Sequence, residues 1–273
     1  MVFVDKALAR RLESAEEIPQ VKYARLYAQL RPEIGAAVAE ICGGHMIFAG
    51  LNSPIGRAVG MGFCGPVKDA DLDRLEAFYR SHNAPAQVDV CPLTDPSLME
   101  LVKTRSYRIA ELNDVLFRRL DTAAAVSAPR SVVIRRGSAQ DAPIVGKMLT
   151  HSFFPNGDAP QGFADLLAPM FQVDGVLTFV ACVNENPVGV AAALVIPKFE
   201  VLALFGAGTL PEFRGRGIQS ALLHERMNAG QDAGCELAVV VTQGGSTSER
   251  NCLRQGFQVA YSKATVLKQV DGD

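Results

Sequence analysis

Leu210-Pro211-Glu212-Phe213-Arg214-Gly215-Arg216-Gly217-Ile218-Gln219-Ser220 decides how this chain is read. The stretch follows an apolar run at residues 201–205 and opens an amphipathic helix with Ile218, Leu222, Leu223 and Met227 on one face. A strand that feeds a Gly-rich turn and then a helix start is a cradle for phosphate. The N–H groups of the turn and the unpaired N–H groups of the first helical turn converge on one point. Glycine lets the backbone approach the anion, where a Cβ would hold it away. Arg214 and Arg216 add charge-assisted hydrogen bonds, each worth on the order of 1.5–3 kcal/mol where water is excluded.

The spacing is not that of the common nucleotide loops. A Walker loop needs G-x-x-x-x-G-K-[ST], and no Lys follows these glycines. The G-x-G-x-x-G of a dinucleotide turn is also missing here. The segment resembles the pyrophosphate loop of the GNAT superfamily of N-acetyltransferases, R/Q-x-x-G-x-G/A. Arg214 takes the first position and Gly217 the central glycine, while Gln219 stands where Gly or Ala is usual. The preceding Pro-Glu-Phe and the following Ser220-Ala221-Leu222-Leu223 also fit the family.

The chain has 273 residues, enough for one large or two modest domains with a sizeable core. Its 48% hydrophobic and 21% charged content read as a soluble globular protein. A formal net charge of −2 gives no electrostatic case for nucleic acid or a membrane surface as partner. No apolar run approaches the roughly 20 residues that span a bilayer. The N-terminal Met-Val-Phe-Val-Asp-Lys becomes charged at once, unlike a signal peptide, so a cytoplasmic protein is expected. Cys42, Cys64, Cys91, Cys182, Cys235 and Cys252 are scattered, mostly in apolar segments, and read as reduced core residues. Cys42-Gly43-Gly44-His45 has the form C-x-x-H but lacks further ligands at zinc spacing, so no metal is expected.

The chain repeats itself at an offset of about 150 residues. Ser106-Tyr107-Arg108-Ile109-Ala110 lines up with Gly256-Phe257-Gln258-Val259-Ala260, Val88-Asp89-Val90 with Ala238-Val239-Val240, and Phe63 with Phe213. So long a period means two domains of one fold rather than a solenoid. Residues 121–129, small and polar with a Pro, read as the linker. The expected domains are 1–125 and 126–273. In the second, the pattern predicts a strand at 131–135, a helix at 139–153 capped by Ser138, and a helix at 160–171. Strands follow at 177–183, 188–196 and 200–206, then a helix at 217–229 and a strand at 238–242. A short helix starts near Ser246 or Ser248 and ends at Gly256, and the last strand runs over 257–268. This order is that of the GNAT fold. The expected fold class is α/β with a mixed, mainly antiparallel sheet flanked by helices (α+β in character), built as two tandem GNAT-like domains.

The offset predicts that only one half binds phosphate. Where the second copy has Arg214-Gly215-Arg216-Gly217, the first has Cys64-Gly65-Pro66-Val67. Both arginines are gone, and Pro66 deletes an N–H donor. The helix behind it persists, with Leu72, Leu75, Phe78 and Tyr79 at helical spacing and Asp69 or Asp71 as cap. The first half is thus read as a degenerate partner domain that shapes the substrate site. Gly60-Met61-Gly62-Phe63-Cys64-Gly65 does satisfy G-x-G-x-x-G, but Pro66 keeps the helix from starting before about Asp69, so no nicotinamide or flavin site is expected.

The resemblance implies acetyl-CoA as cosubstrate and direct attack of an amine on its thioester. It implies that backbone groups around Ala207, Gly208, Thr209 and Leu210 pair with the pantetheine like an added strand, and that the amide of Thr209 or Leu210 faces the thioester carbonyl. Gly206 and Gly208 agree with a strand that bends there. The diphosphate falls to Arg214, Gly215, Arg216, Gly217, Ile218, Gln219 and Ser220, with Ser248 and Asn251 further along the cofactor. Many family members place a Tyr acid four residues before the Gly of a Gly-Phe pair; here that position is Cys252, a thiol that either donates the proton or packs against the cofactor. Tyr261 is a second candidate acid. His151 is the candidate base through water, with proton loss to bulk solvent as the alternative. The expected acceptor is a primary amine of a small or amino-acid-like molecule. The tandem arrangement takes the place of the dimer common in single-domain relatives, so a monomer is expected, with a dimer as the alternative. A catalytically silent acyl-CoA-binding or ligand-sensing module, and transfer of another acyl group, are the competing readings.

Overall fold

A computed structural model describes residues 3–120 and 132–269; the linker read at 121–129 and the boundary near 125 lie outside them. In chain order the elements are α1 (Lys6–Leu30), β1 (Ala37–Ile41), β2 (Gly44–Phe48), β3 (Ala58–Val59), α2 (Asp69–Arg80), β4 (Ala86–Val90), α3 (Pro96–Thr104) and β5 (Arg108–Arg119). Then come β6 (Val133–Arg136), α4 (Ala142–Phe153), α5 (Phe163–Leu167), β7 (Val176–Val183), β8 (Asn186–Ile196) and β9 (Val201–Thr209). The chain continues through α6 (Ile218–Asp232), β10 (Leu237–Gln243), α7 (Thr247–Arg254) and β11 (Gln258–Lys268). The offset seen in the sequence is a structural repeat: strand, helix, strand, helix and strand recur as β3-α2-β4-α3-β5 and β9-α6-β10-α7-β11.

The chain divides into two units. The first takes the described residues up to Leu116, Val241–Glu249 and everything from Gln258 onward; the second takes those of Phe117–Val240 and Arg250–Phe257. In the first unit the strand order is β1-β2-β3-β4-β11-β5. The α2 residues Leu72, Leu75 and Tyr79 pack against Met46, Phe48, Val88 and Val90 of the sheet. The Asp71 side chain accepts the Lys68 N–H at 2.9 Å and closes the start of α2.

β11 corrects the assignment of residues 126–273 to one domain. It pairs antiparallel with β4, from Ala264 opposite Val90 to Lys268 opposite Ala86, and so belongs to the first unit. Its alternation explains the placement. Ala264 and Val266 join the apolar cluster under α2, while Tyr261, Lys263 and Thr265 meet acidic groups of α1 and β4. The Lys263 ammonium lies 3.0 Å from Glu13 and 3.2 Å from Asp89, with Glu16 as a third partner. Thr265 donates to Asp89 at 2.6 Å. Burial opposes the charge on Lys263, but the three carboxylates outweigh it and hold the amine protonated well above its ordinary range.

The second unit has the strand order β10-β9-β8-β7-β6, antiparallel except for the parallel pair of β9 and β10. On one face α4 sets Val145, Met148 and Leu149 against Val180, Val190 and Ala192. On the other, α6 sets Ile218 and Leu222 against Phe179, Ala181, Val188 and Ala191. The helix expected at 139–153 is a 3-10 turn followed by α4; Asp141 stands at the N-cap of α4 without a side-chain bond to the helix, and its carboxylate accepts the Ser138 N–H at 2.8 Å. The helix expected at 160–171 is α5 continued by the 3-10 turn Ala168–Gln172, since Pro169 has no N–H for an α-helical bond.

Candidate functional site

The β9 strand is bent by a bulge. Its register against β8 jumps from Gly208 opposite Val190 to Phe205 opposite Ala192, so Gly206 and Ala207 face Ala191 alone. Gly206 sits at φ +54, the left-handed region glycine enters without a Cβ penalty. Pairing of β9 with β10 reaches Leu204 opposite Val240, yet β9 runs on to Thr209. Past Leu204, therefore, the edge of β9 turned from β8 has no strand partner among the described residues. The Leu210 N–H donates to Val188 at 2.9 Å. Successive amides of a strand point to opposite sides, so the Thr209 N–H points away from β8 toward that open edge. Of the two amides expected to face a thioester, the strand thus commits Leu210 to the sheet and leaves Thr209.

Beyond Leu210 comes the 3-10 turn Pro211–Phe213, then Arg214 in an extended conformation, and Gly215 and Gly217 both at φ +75. Gly217 is the N-cap of α6. None of the N–H groups from Gly215 to Ser220 is hydrogen-bonded among the described residues. Six consecutive donors in a turn and helix start form a strong anion site, reinforced by the helix dipole. Ile218 contributes only its amide, because its side chain is buried over Gly189; Gln219 and Ser220 are half-buried.

The two arginines divide their work. The Arg214 guanidinium turns back into the unit and donates to the Ser152 carbonyl at 2.7 Å and the Thr209 carbonyl at 3.3 Å. It thereby ties the loop to the last turn of α4 and to the end of β9. Both arginines are exposed; Arg216 makes one bond, to the Glu212 carbonyl at 3.1 Å, and sets its guanidinium over the Phe213 ring. Ser152, which the sequence reading missed, sits where a Cβ on Gly208 would come within 2.8 Å of its hydroxyl. The pattern of small residues at 206 and 208 was the signal that something approaches β9 closely.

The candidate proton-transfer groups are dispersed. Cys252 is buried on α7, and its carbonyl accepts the Phe257 N–H in the turn that ends the helix. Asn251 is half-buried beside it; Ser248, exposed, falls with the first unit. His151 is exposed in the last turn of α4. Tyr261, the second acid candidate, lies on β11. It belongs to the first unit, and its hydroxyl donates to Glu13 at 2.8 Å. Burial, and then the Glu13 charge, push its pKa far up, so it is a committed donor rather than a free acid.

The first unit's turn after β3 is arranged differently. Gly60, at φ +73, has the Glu17 carboxylate where a Cβ would come within 2.9 Å of it. Glu17 is in turn paired with Arg10 and lies 2.7 Å from His45 Nδ1. A phosphate brought to this turn would meet a carboxylate. Among the described residues no cluster of His, Cys, Asp and Glu is placed to hold a metal ion, and no helix is long and apolar enough to cross a membrane.

The bulged strand, its open edge and the donor-rich turn before α6 lie together in the second unit. Residues 147–257 match the family model described as Acetyltransferase (GNAT) family. Solved structures share the fold over nearly the whole chain. A GCN5-related N-acetyltransferase from Kribbella flavida aligns with TM-score 0.61 at 15% identity, covering 92% of this chain and 96% of that one. A tandem GNAT protein from the clavulanic acid biosynthesis pathway aligns with TM-score 0.60 at 11% identity, covering 87% and 80%. A functionally unknown conserved protein from Staphylococcus epidermidis aligns with TM-score 0.57 at 18% identity, covering 86% and 95%. Among curated protein sequences, none matches this chain. The fold is α/β, a mixed sheet flanked by helices in the two-domain GNAT arrangement.

Proposed function

We propose that this chain transfers an acetyl group from acetyl-CoA to a primary amine of a small or amino-acid-like molecule by direct attack. The observation that carries the reading is the run of free N–H groups from Gly215 to Ser220 beside the open edge of β9. The turn would take the diphosphate, with Arg216 as the mobile cation and Arg214 holding the loop in shape. The edge of β9 would pair with the pantetheine, and the Thr209 amide would donate to the thioester oxygen as it gains charge. The amine attacks the carbonyl carbon, the C–S bond breaks, and the amine's proton passes to solvent, directly or through His151. Cys252 is the candidate to protonate the departing sulfur. The second unit is thus the cosubstrate-binding one. The first, with Glu17 against its own turn, serves as a partner that shapes the acceptor site, and the protein acts as a monomer in the cytoplasm.

Calorimetric titration with acetyl-CoA tests the reading, comparing the wild type with Gly217→Glu. Binding by the wild type and loss in the variant are expected; equal affinity would remove the assigned diphosphate site. An amine panel followed by free-thiol release then identifies the acceptor. A second reading, a silent acyl-CoA-binding or sensing module, is favoured by two observations: Tyr261 is bound to Glu13, and a thiol stands at the family's acid position. Tight binding with no thiol released by any amine would select it.

A further inference from the structure

Along the sheet-facing side of α6, residues at four-residue steps read Ile218, Leu222, Arg226 and Gly230. Three suit a helix packed on strands; Arg226 does not. Its side chain lies between α6 and small residues of β8, and the residue is 4% exposed. Nε donates to the Leu222 carbonyl at 3.1 Å and Nη1 to the Ala192 carbonyl at 3.2 Å. Among the described residues no carboxylate pairs with it; the Cys252 thiol is the acidic group whose charge acts on it. Burial draws its pKa down to about 10, which still leaves it charged at neutral pH.

An uncompensated buried cation is costly, and apolar residues of similar size often replace buried charges without loss of stability. Stability therefore does not explain an arginine here, whereas its position does. Ala192 is the β8 residue at which the register with β9 breaks, directly beside the bulge at Gly206 and Ala207. The guanidinium grips the fixed strand at that point and places a positive charge behind the segment that leads to the Thr209 amide.

We infer that Arg226 is a positioning residue for the thioester step: it fixes the β8–β9 bulge, and so the direction of the Thr209 N–H, for the oxygen that gains negative charge during attack. The inference rests on the proposed acetyl transfer. It makes no contact with the diphosphate turn, so binding and rate should separate.

The experiment compares Arg226→Met, Arg226→Lys and the wild type by thermal unfolding, coenzyme A titration and steady-state kinetics with the best amine of the panel. Arg226→Met is expected to keep or raise the melting temperature and to bind coenzyme A within about twofold of the wild type. Its kcat should fall roughly 10- to 100-fold at unchanged KM for acetyl-CoA, with partial recovery in Arg226→Lys. A wild-type kcat in Arg226→Met, or parallel loss of stability and binding, would overturn the inference. If the wild type binds coenzyme A but turns over no amine, the acetyl-transfer reading fails separately. Hydrogen exchange then decides on Arg226: faster exchange in Arg226→Met confined to the amides of residues 206–209 supports it, and unchanged exchange there refutes it.

Discussion

The Arg214 guanidinium donates to the carbonyl of Ser152 at 2.7 Å, so the Gly-rich turn is anchored to the end of α4 by a residue expected from the sequence to bind an anion. Arg214→Ala should weaken acetyl-CoA binding roughly tenfold by freeing the turn, and the loss should persist at high salt because the broken bonds go to backbone carbonyls. Arg216→Ala removes an exposed charge instead. Its effect should shrink as salt rises to about 0.5 M. Calorimetric titration of both variants at two ionic strengths separates these roles; equal salt dependence would contradict them.

Gly208 lies under Ser152 and Leu149, where an added Cβ would come within 2.8 and 2.9 Å of their atoms. Gly208→Ala should push α4 away from β9 and lower stability by about 1–3 kcal/mol. It should also disturb the carbonyl that Arg214 grips, so affinity for coenzyme A falls with stability. Ser152→Gly in the same chain relieves the contact and should restore part of both. Urea unfolding and titration of the single and double variants check this.

Cys252 is the acid candidate, and Cys252→Ala tests it directly. Loss of kcat by roughly 10- to 100-fold at unchanged coenzyme A affinity is the expected result. Full turnover would leave Cys252 a packing residue on α7.

Lys263 is 2% exposed among Glu13, Glu16 and Asp89. Lys263→Met leaves those acids without their shared cation and should cost roughly 3–5 kcal/mol at neutral pH. The pH dependence should also steepen between about pH 7 and 5. In the wild type, burial raises the Asp89 pKa but Lys263 and Arg57 more than offset it, so the carboxyl is held below its usual range. Its contribution is present above the unfolded value of about 3.9 and is lost as pH falls through the lower folded value. Burial already raises the Glu13 pKa with Lys263 in place. Without the ammonium it rises further, so the variant should gain stability as pH is lowered from about 7 to 5. Urea midpoints across that range decide it.

The Gly-rich turn and α6 could be read from residues alone because their determinants are local: two glycines three and five residues after Leu210-Pro211-Glu212, then Ile218 and Leu222 one turn apart. The bulge was foreshadowed by Gly206 and Gly208. The partnership of Arg214 with Ser152 was not, because both arginines look alike in sequence and only packing decides which turns inward. β11 was misassigned for a related reason. Gly256-Phe257 and its counterpart at 106–107 end their helices in the same way, Ser106 at φ +61 and Gly256 at φ +81, so the pattern marks where a strand starts without saying which sheet receives it. That choice is made by Glu13, Glu16 and Asp89, far away in the chain.

β11 comes about 150 residues after β5 and yet sits in the sheet of the first unit, between β4 and β5. On the ribosome, that unit must wait with an empty slot, and with the acids of α1 lacking their lysine, until residues 258–268 have emerged. Its folding is therefore timed by a segment synthesised long after its other strands.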